Sequence, residues 1–310
     1  MSEIRETPIE GPGVWTGAEL QADRRWAYPL SDVDRSELDA ALTQVKDKPL
    51  EGITRENFPL PDLSDRLTAL SDDLCAGRGF ALVRGFPVEG YAYADIERMY
   101  WGFCAHIGQG LTQNGDASFI HYVTDGKLRP SQGRRGVGFP RESKLHIDLT
   151  DVVSLLCVRQ APDDPPSRTS SSLTLYNEIL RRRPEALARL YEGFEWDRMD
   201  EHGPGETPTS GYKVPVFSQK DGVISCQYNR NWINNAAERN ETPLTDDENA
   251  IFDLMDEISA ETCLEFPFHT GDIQFCNNYT CFHGRAAHAV VDEEEHKRVL
   301  MRIWIDLDDP

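Results

Sequence analysis

From residue 145 onward the chain reads as short strands broken by turn residues, and that texture limits the fold more than any other feature. Residues 152–158 form an almost unbroken apolar run, the pattern of a strand covered on both faces. The runs 213–218 and 222–228, separated by Gln219, Lys220 and Asp221, carry a hairpin signal. Runs at 271–277, 281–289 and 298–305 complete the set. One clear helix interrupts them. Thr245 with Glu248 three residues on makes a capping box, and Ile251, Leu254, Met255 and Ile258 follow at helical spacing. Many short strands after a helical start predict an α+β chain, a β-sandwich or jelly roll with helices outside it.

Upstream, residues 1–60 are rich in Pro, Gly and charge, with a helical stretch at 36–45. They read as an N-terminal extension packed on the core, with 61–310 as the rest of a single large domain. A helix at 63–76 ends at Gly77, a glycine-bounded apolar strand occupies 79–85, and a second helix covers 92–107. Residues 108–144 are loop-rich, with glycines at 108, 110, 115, 126, 133, 136 and 138, a length typical of functional lids or connectors.

Charge narrows the partners. Asp+Glu number 53 against 32 Lys+Arg, a formal charge of −21, which repels phosphate backbones and anionic lipid. Nucleic acid and membrane are therefore not expected as partners, whereas a small molecule is, and a homo-oligomer is compatible with the sequence. No apolar stretch approaches the roughly 20 residues that span a bilayer. The start lacks a basic segment followed by an apolar one, so a cytoplasmic location is expected. The seven cysteines include no CxxC pair, and an odd, scattered count is no disulfide framework. Cys276 and Cys281 read as small hydrophobes in a strand–turn segment.

The chemistry concentrates in two places. His146-Ile147-Asp148 is the only His-x-Asp triplet, and residues two apart in a strand point to one face. A lone triplet of this kind arises by chance in a chain so rich in aspartate. The segment from Gly271 to Arg285 then reads as strand, turn and a second strand carrying His283. In 298–305, period-two counting places Arg298, Leu300, Arg302 and Trp304 on one face and Val299, Met301, Ile303 and Ile305 on the other. Two arginines beside Leu and Trp suggest an interior anion site gripped by a guanidinium fork, against an exposed basic face pairing with the many acids. Together His146, Asp148 and His283 match the 2-His-1-carboxylate facial triad, which leaves open positions on Fe(II). A chelating 2-oxo acid would fill two of them, its far carboxylate would need an arginine, and O2 would take the last.

With these motifs on the page, the sequence resembles the Fe(II)/2-oxoglutarate dioxygenases of the taurine dioxygenase (TauD/TfdA-like) type. The likeness runs from about residue 77 to 307 and is carried by the His-x-Asp triplet, Gly271-Asp272-Ile273 through Asn278, His283, and the Arg298/Arg302 pair. It implies a double-stranded β-helix, a jelly-roll variant. By resemblance His146, Asp148 and His283 are the iron ligands, Arg298 binds the distal carboxylate of 2-oxoglutarate, and Arg302 helps with anionic groups of cosubstrate or substrate. Relatives carry a Gly-Gly-x-Ser/Thr turn whose hydroxyl also meets 2-oxoglutarate. Here Pro165 stands where a glycine is expected, so Ser167 and Thr169 are rival candidates for the hydroxyl. Substrate-facing candidates are Gln113, Asn114, His121 and Tyr122 in the long loop, with Tyr228, Arg230 and Trp232 after the hairpin. Arg230 and Arg302 suggest a carboxylate or amino-acid derivative. His106, His202, His269, His288 and His296 read as structural or surface residues, while Asp272 and Asn278 brace the turn leading to His283. The expected activity is oxidation of a small molecule, by hydroxylation or by desaturation or cyclisation, with release of succinate and CO2. The alternatives are a cupin-like metal hydrolase or isomerase and a non-catalytic binding protein that retains the barrel.

Overall fold

Two β-sheets lie face to face, and the outer face of each is covered by helices. The computed structural model describes residues 4–113, 117–124, 142–199, 201–203, 205–289 and 291–307. In chain order the strands of the first half are β1 (Ala27–Pro29), β2 (Phe80–Arg84), β3 (Gln109–Leu111), β4 (His121–Thr124), β5 (Ser143–His146) and β6 (Val152–Arg159). The second half supplies β7 (Ser167–Ser171), β8 (Phe217–Lys220), β9 (Val223–Cys226), β10 (Leu264–Phe266), β11 (Ile273–Asn277), β12 (Cys281–Arg285) and β13 (Val299–Asp306). A seven-stranded sheet runs β1-β2-β11-β6-β13-β3, with β4 also paired to β13, and a four-stranded sheet runs β10-β7-β12-β5.

The apolar pattern of β6 explains its central place. Val152 and Leu156 face out beneath Leu38, Leu70 and Met99 of three helices, Asp32–Val45, Ser64–Cys75 and Tyr93–Cys104. Ser154 joins them only because its hydroxyl pairs with Tyr100 Oη at 2.6 Å, so the polar atom costs little where it lies. On the other face Val153 and Cys157 join Phe80, Leu82, Cys276, Leu300 and Trp304, and these meet Leu264, Phe266 and Cys281 of the smaller sheet. The far side of that sheet carries Phe282 against Leu175, Ile179, Phe252 and Met255 of the helices behind it.

Residues 4–60 are built into this frame. Strand β1 pairs in parallel with β2, and Trp26 packs on Phe80 with ring centroids 5.4 Å apart. Phe80 also lies 5.4 Å from Phe266 across the sandwich and is fully buried. Phe80→Ala is therefore expected to lower stability by about 3–5 kcal/mol, read as a shifted denaturant midpoint with unchanged slope.

Three expectations about the second half need correction. Besides the capped helix Asp246–Thr262, helices form at Ser172–Arg182, Ala186–Glu192 and Arg230–Arg239. The first begins where Ser171 Oγ accepts the Thr174 amide at 3.1 Å, inside a serine-rich run. The third is capped by Asn229, whose side chain accepts from the Trp232 amide. The hairpin turn is also displaced: Asp221 and Gly222 both take positive φ, 52° and 84°, making the two-residue Asp-Gly turn between β8 and β9. Strand β12 stops at Arg285, short of residue 289. Among the described residues no helix is long and apolar enough to cross a membrane.

Candidate metal centre

Register brings the two histidines together. Strand β12 lies between β7 and β5, and His283 is directly opposite both Thr169 and His146. Side chains directly opposite on antiparallel strands share a face, and the two imidazoles sit with centroids 4.5 Å apart. Asp148 reaches them differently from the sequence expectation. Strand β5 ends at His146, and Asp148 lies in the turn beyond it. That turn is pinned by main-chain and side-chain bonds: the Ile147 amide donates to the Tyr228 carbonyl at 3.0 Å, and the Asp148 amide donates to Asn278 Oδ1 at 3.0 Å. Asn278 Nδ2 closes the loop on the Thr150 carbonyl at 2.9 Å, the bracing role its sequence position suggested, applied to the aspartate rather than to His283. The potential ligand atoms of His146, Asp148 and His283 all lie within 4.8 Å of one another.

The hydrogen-bond partners of each group leave an atom for a metal. His146 Nδ1 sits 2.7 Å from the Lys144 carbonyl, so Nδ1 donates there and Nε2 is the atom left for a ligand. Asp148 Oδ2 accepts from Arg302 Nη1 and from the Trp304 indole N–H, each at 2.9 Å, leaving Oδ1 to a ligand. Burial opposes ionisation of this carboxyl, but Arg302, His283, His146 and the indole hold it well below the usual carboxylate range. Burial, with His146 adding to it, pushes His283 down to about 3, so the ring is neutral at pH 7. Its Nδ1 is enclosed without a hydrogen-bond partner, the kind of orphaned buried atom that a polar site with a missing occupant leaves. The donor set, its charge and its spacing all fit a divalent metal with open positions.

In metal-free protein the depressed His283 value has a consequence for acid stability. An unfolded histidine takes up its proton near 6.5, the folded one only near 3, so the unfolded state binds more protons between those values. Stability is therefore full above about pH 6.5 and falls as pH drops toward 3, by on the order of 5 kcal/mol for this group alone. Unfolding of chelator-treated protein across this range should show that slope, and His283→Gln should flatten it.

The interior between the sheets continues away from the histidines. Arg298 is buried just before β13, and its Nε donates to Gln160 Oε1 at 2.8 Å. Gln160 is itself fixed, since Oε1 also accepts the Ala161 amide at 3.0 Å and its NH2 donates to the Phe268 carbonyl. Ser167 and Thr169 both point inward from β7. Thr169 Oγ1 donates to the Phe282 carbonyl at 2.9 Å, whereas Ser167 Oγ donates to the side chain of Gln274 at 2.6 Å. The proline-containing turn before Ser167 closes without glycine. Asp164 takes φ +47° and donates its amide to the Ala161 carbonyl at 3.0 Å.

The substrate-facing candidates separate once placed. Gln113 is spent on Arg302: Oε1 accepts Arg302 Nε at 2.9 Å, and Nε2 donates to the carbonyls of Arg302 and Phe119 at 2.7 and 2.8 Å. It positions the arginine, and both of its amide hydrogens are spent on main-chain carbonyls. Tyr122 pairs with Met301, so it faces the helices on the outer side, where its hydroxyl donates to Glu97 at 2.7 Å. His121, one residue earlier, opposes Arg302 and shares the inner face. Tyr228 is buried toward the other helix layer, with its ring 5.6 Å from Phe252; only its carbonyl serves the centre. Arg230 lies between Asp253 at 2.8 Å and Asp256 at 2.7 Å, its charge already neutralised on the helix Asp246–Thr262. Trp232 packs edge-on to Trp196 at 5.4 Å. Asn114 falls outside the described residues, as does most of the 108–144 loop. The roles of Trp304 at Asp148 and of Gln160 at Arg298 were not foreseen; only the shared face of Arg302 and Trp304 hinted at the first.

Comparison with known proteins agrees with this geometry. The model of a family described as taurine catabolism dioxygenase TauD, TfdA family matches residues 46–304. The chain is similar to FR-33289 synthase of Streptomyces rubellomurinus, 28% identical and covering 99% of this chain and 93% of the relative. It is 27% identical to the taurine hydroxylase-like protein SAT17 of Stachybotrys chartarum, over 95% of this chain and 78% of that one. Among solved structures it superposes on an asparagine oxygenase in complex with Fe(II), 2S,3S-3-hydroxyasparagine and succinate, with a TM-score of 0.69 at 14% identity over 91% of this chain and 93% of the other. The non-heme iron oxygenase OrfP, in complex with Fe and alpha-ketoglutaric acid, gives 0.66 at 15% identity over 91% and 94%.

Proposed function

This chain belongs to the taurine catabolism dioxygenase TauD, TfdA family and is an Fe(II)- and 2-oxoglutarate-dependent dioxygenase, and from that premise we propose which residues do its work. His146, Asp148 and His283 hold the iron. Arg298, with the hydroxyl of Ser167 or of its rival Thr169, takes the far carboxylate of 2-oxoglutarate; Ser167 Oγ donates to Gln274 and Thr169 Oγ1 to the Phe282 carbonyl. When bound, iron and 2-oxoglutarate together supply oxidation of a C–H bond by O2, with succinate and CO2 as co-products. The remaining work belongs to the chain. Arg302 and Trp304 hold Asp148 to one oxygen, Gln113 holds Arg302, and Gln160 holds Arg298. Leu155, Cys157 and Leu300 supply an apolar wall on the inner face that keeps water from the site.

The substrate is a small carboxylate, an amino acid or a derivative of one, and hydroxylation is the favoured outcome over desaturation or cyclisation. Two observations support this reading. The superposed oxygenases are those of asparagine and of an enzyme bound to hydroxylated arginine. Arg302 also uses Nε and Nη1 in holding the centre, which leaves Nη2 for an anionic group of substrate. The whole chain is read as one domain on a double-stranded β-helix, with residues 1–60 as an extension built into it. Seven free thiols suit a reducing cytoplasm.

The observation that carries the proposal is the metal-ready triad with a buried arginine on the same inner face. Anaerobic addition of Fe(II) and 2-oxoglutarate tests it. The chelate should give a weak visible charge-transfer band, small carboxylates and amino acids should be scored by its perturbation, and succinate release should follow in air. Absence of any band with both additions would overturn the reading.

A further inference from the structure

Arg285 brings a third guanidinium into the sandwich, one that the centre described above does not use. It is 9% exposed and lies two residues beyond His283 on β12. Strand β12 pairs with β7 without a break, His283 opposite Thr169, Gly284 opposite Arg168 and Arg285 opposite Ser167. Directly opposite residues share a face, and alternation returns every second residue to it. Arg285 and Ser167 therefore share the inner face with His283 and Thr169, whereas Arg168 is on the outer one, bonded to Glu265 at 2.8 Å. The head of Arg285 is anchored. Its Nη1 donates to the Ala286 carbonyl at 2.9 Å, and the Ala286 amide donates to the Pro166 carbonyl at 3.2 Å, which keeps the guanidinium near the start of β7.

The opposing sheet fixes what Arg285 faces. Ser167 Oγ reaches the Gln274 side chain at 2.6 Å, so β7 lies over β11. The turn after β5 reaches Arg302 and Trp304 through Asp148, so β5 lies over β13. Strand β12, between β7 and β5, then lies over β6, between β11 and β13. Arg285 thus faces Leu155 and Cys157, and Cys157 pairs with Leu300, two residues from Arg298. Arg298 is near enough to pull on the Cys157 thiol, which burial nonetheless pushes up to about 12.

We propose that Arg285 is a second guanidinium for the far carboxylate of 2-oxoglutarate, reaching it from the smaller sheet while Arg298 reaches it from the larger. Spacing selects this ligand group. Two residues along a strand span about 7 Å, so the row of Arg285 and Ser167 stands that far from the row of His283. A five-carbon 2-oxo diacid covers such a span between its chelating end and its far carboxylate. A substrate C–H to be oxidised has to lie beside the metal instead, in the row of the histidines. The turn before Ser167 adds a reason for a side-chain donor: Pro165 and Pro166 carry no N–H, so it offers the anion no main-chain donor there. Arginine cannot shed its proton and presents a fork of donors, which suits a carboxylate already held from one side. The inference rests on the reading that Arg298 takes the 2-oxoglutarate tail.

Two cosubstrate probes separate this role from a structural one. Full-length protein with Fe(II) is titrated anaerobically with 2-oxoglutarate and with 2-oxovalerate, which keeps the chelating end and the five carbons but lacks the far carboxylate. The charge-transfer band reads binding of each. Arg285→Leu should weaken 2-oxoglutarate by about 10- to 100-fold, the scale of a hydrogen bond to a charged group, and leave 2-oxovalerate unchanged. Arg285→Lys, which keeps the charge without the fork, should show the same selectivity at a smaller loss. Unchanged 2-oxovalerate binding also demonstrates a folded, iron-loaded site; if the leucine variant does not fold, the lysine variant carries the comparison. Equal weakening of both acids, or 2-oxoglutarate bound as tightly as by the wild type, overturns the role of Arg285 and leaves the cosubstrate site standing. Absence of 2-oxoglutarate binding to the wild type, or binding untouched by Arg298→Ala, overturns the site itself.

Discussion

Asp148→Ala should abolish turnover and the anaerobic charge-transfer band together. The carboxylate is the one anionic ligand of the three, and its second oxygen anchors both Arg302 and Trp304. Removing it takes away a metal bond and also leaves a guanidinium in a mostly buried place without its partner, which is costly in its own right. Loss of a partner that orients a metal ligand typically costs about 10–100-fold in metal affinity or activity, so loss of the ligand itself should exceed 100-fold. Trp304→Phe supplies the graded comparison. It keeps the aromatic volume, removes only the indole N–H, and should fall within that 10–100-fold range with the band retained at higher Fe(II). Equal damage from the two substitutions would mean that the indole matters through packing, and thermal melts would separate that case. Full activity in Asp148→Ala would remove the carboxylate from the centre altogether.

How much of this could be read before any coordinates depended on whether the signal was local. The triplet at 146–148 and the histidine at 283 are short patterns whose residue chemistry speaks for itself. Period-two counting placed Arg298, Arg302 and Trp304 on one face, because a strand's alternation is a local property. Which face looks inward is a property of the sheet, and there the reading failed for Tyr122. Its neighbour His121 pairs with Arg302 and turns in, while Tyr122 pairs with Met301 and turns out, a one-residue matter of register that sequence does not specify. Arg230 failed for another reason. Its counter-charges, Asp253 and Asp256, sit on a helix formed by a later segment, and in a chain of so many acids no spacing rule singles them out. The helix Ser172–Arg182 is not announced by the sequence because its N-cap is one of three consecutive serines, and only the Thr174 amide donating to Ser171 singles it out. Asp148 was placed correctly beside the histidines, but by the wrong route: the turn pinned by Tyr228 and Asn278 delivers it, not strand alternation.

Arg298 offers the second large effect and the sharper division between chemistries. Arg298→Ala should weaken 2-oxoglutarate by at least 2–5 kcal/mol, about 30-fold to several thousandfold, the cost of deleting one partner of a buried, hydrogen-bonded charge pair. Iron binding should survive, because the three ligands sit on β5, the turn after it and β12, whereas Arg298 enters from the start of β13. The variant should therefore show a higher 2-oxoglutarate requirement for the charge-transfer band at an unchanged Fe(II) requirement. Arg298→Lys should recover only part of the loss. Gln160 fixes Nε of the guanidinium at 2.8 Å, which sets the plane of the fork, and an ammonium on a flexible stem has neither the fork nor that anchor. Gln160→Leu should then resemble a mild Arg298→Lys, weakening cosubstrate by freeing the plane while keeping the charge. A metal hydrolase built on the same three ligands would have no use for any of these groups. Undiminished 2-oxoglutarate affinity in Arg298→Ala would leave the triad in place and strip the proposed reaction of its cosubstrate site.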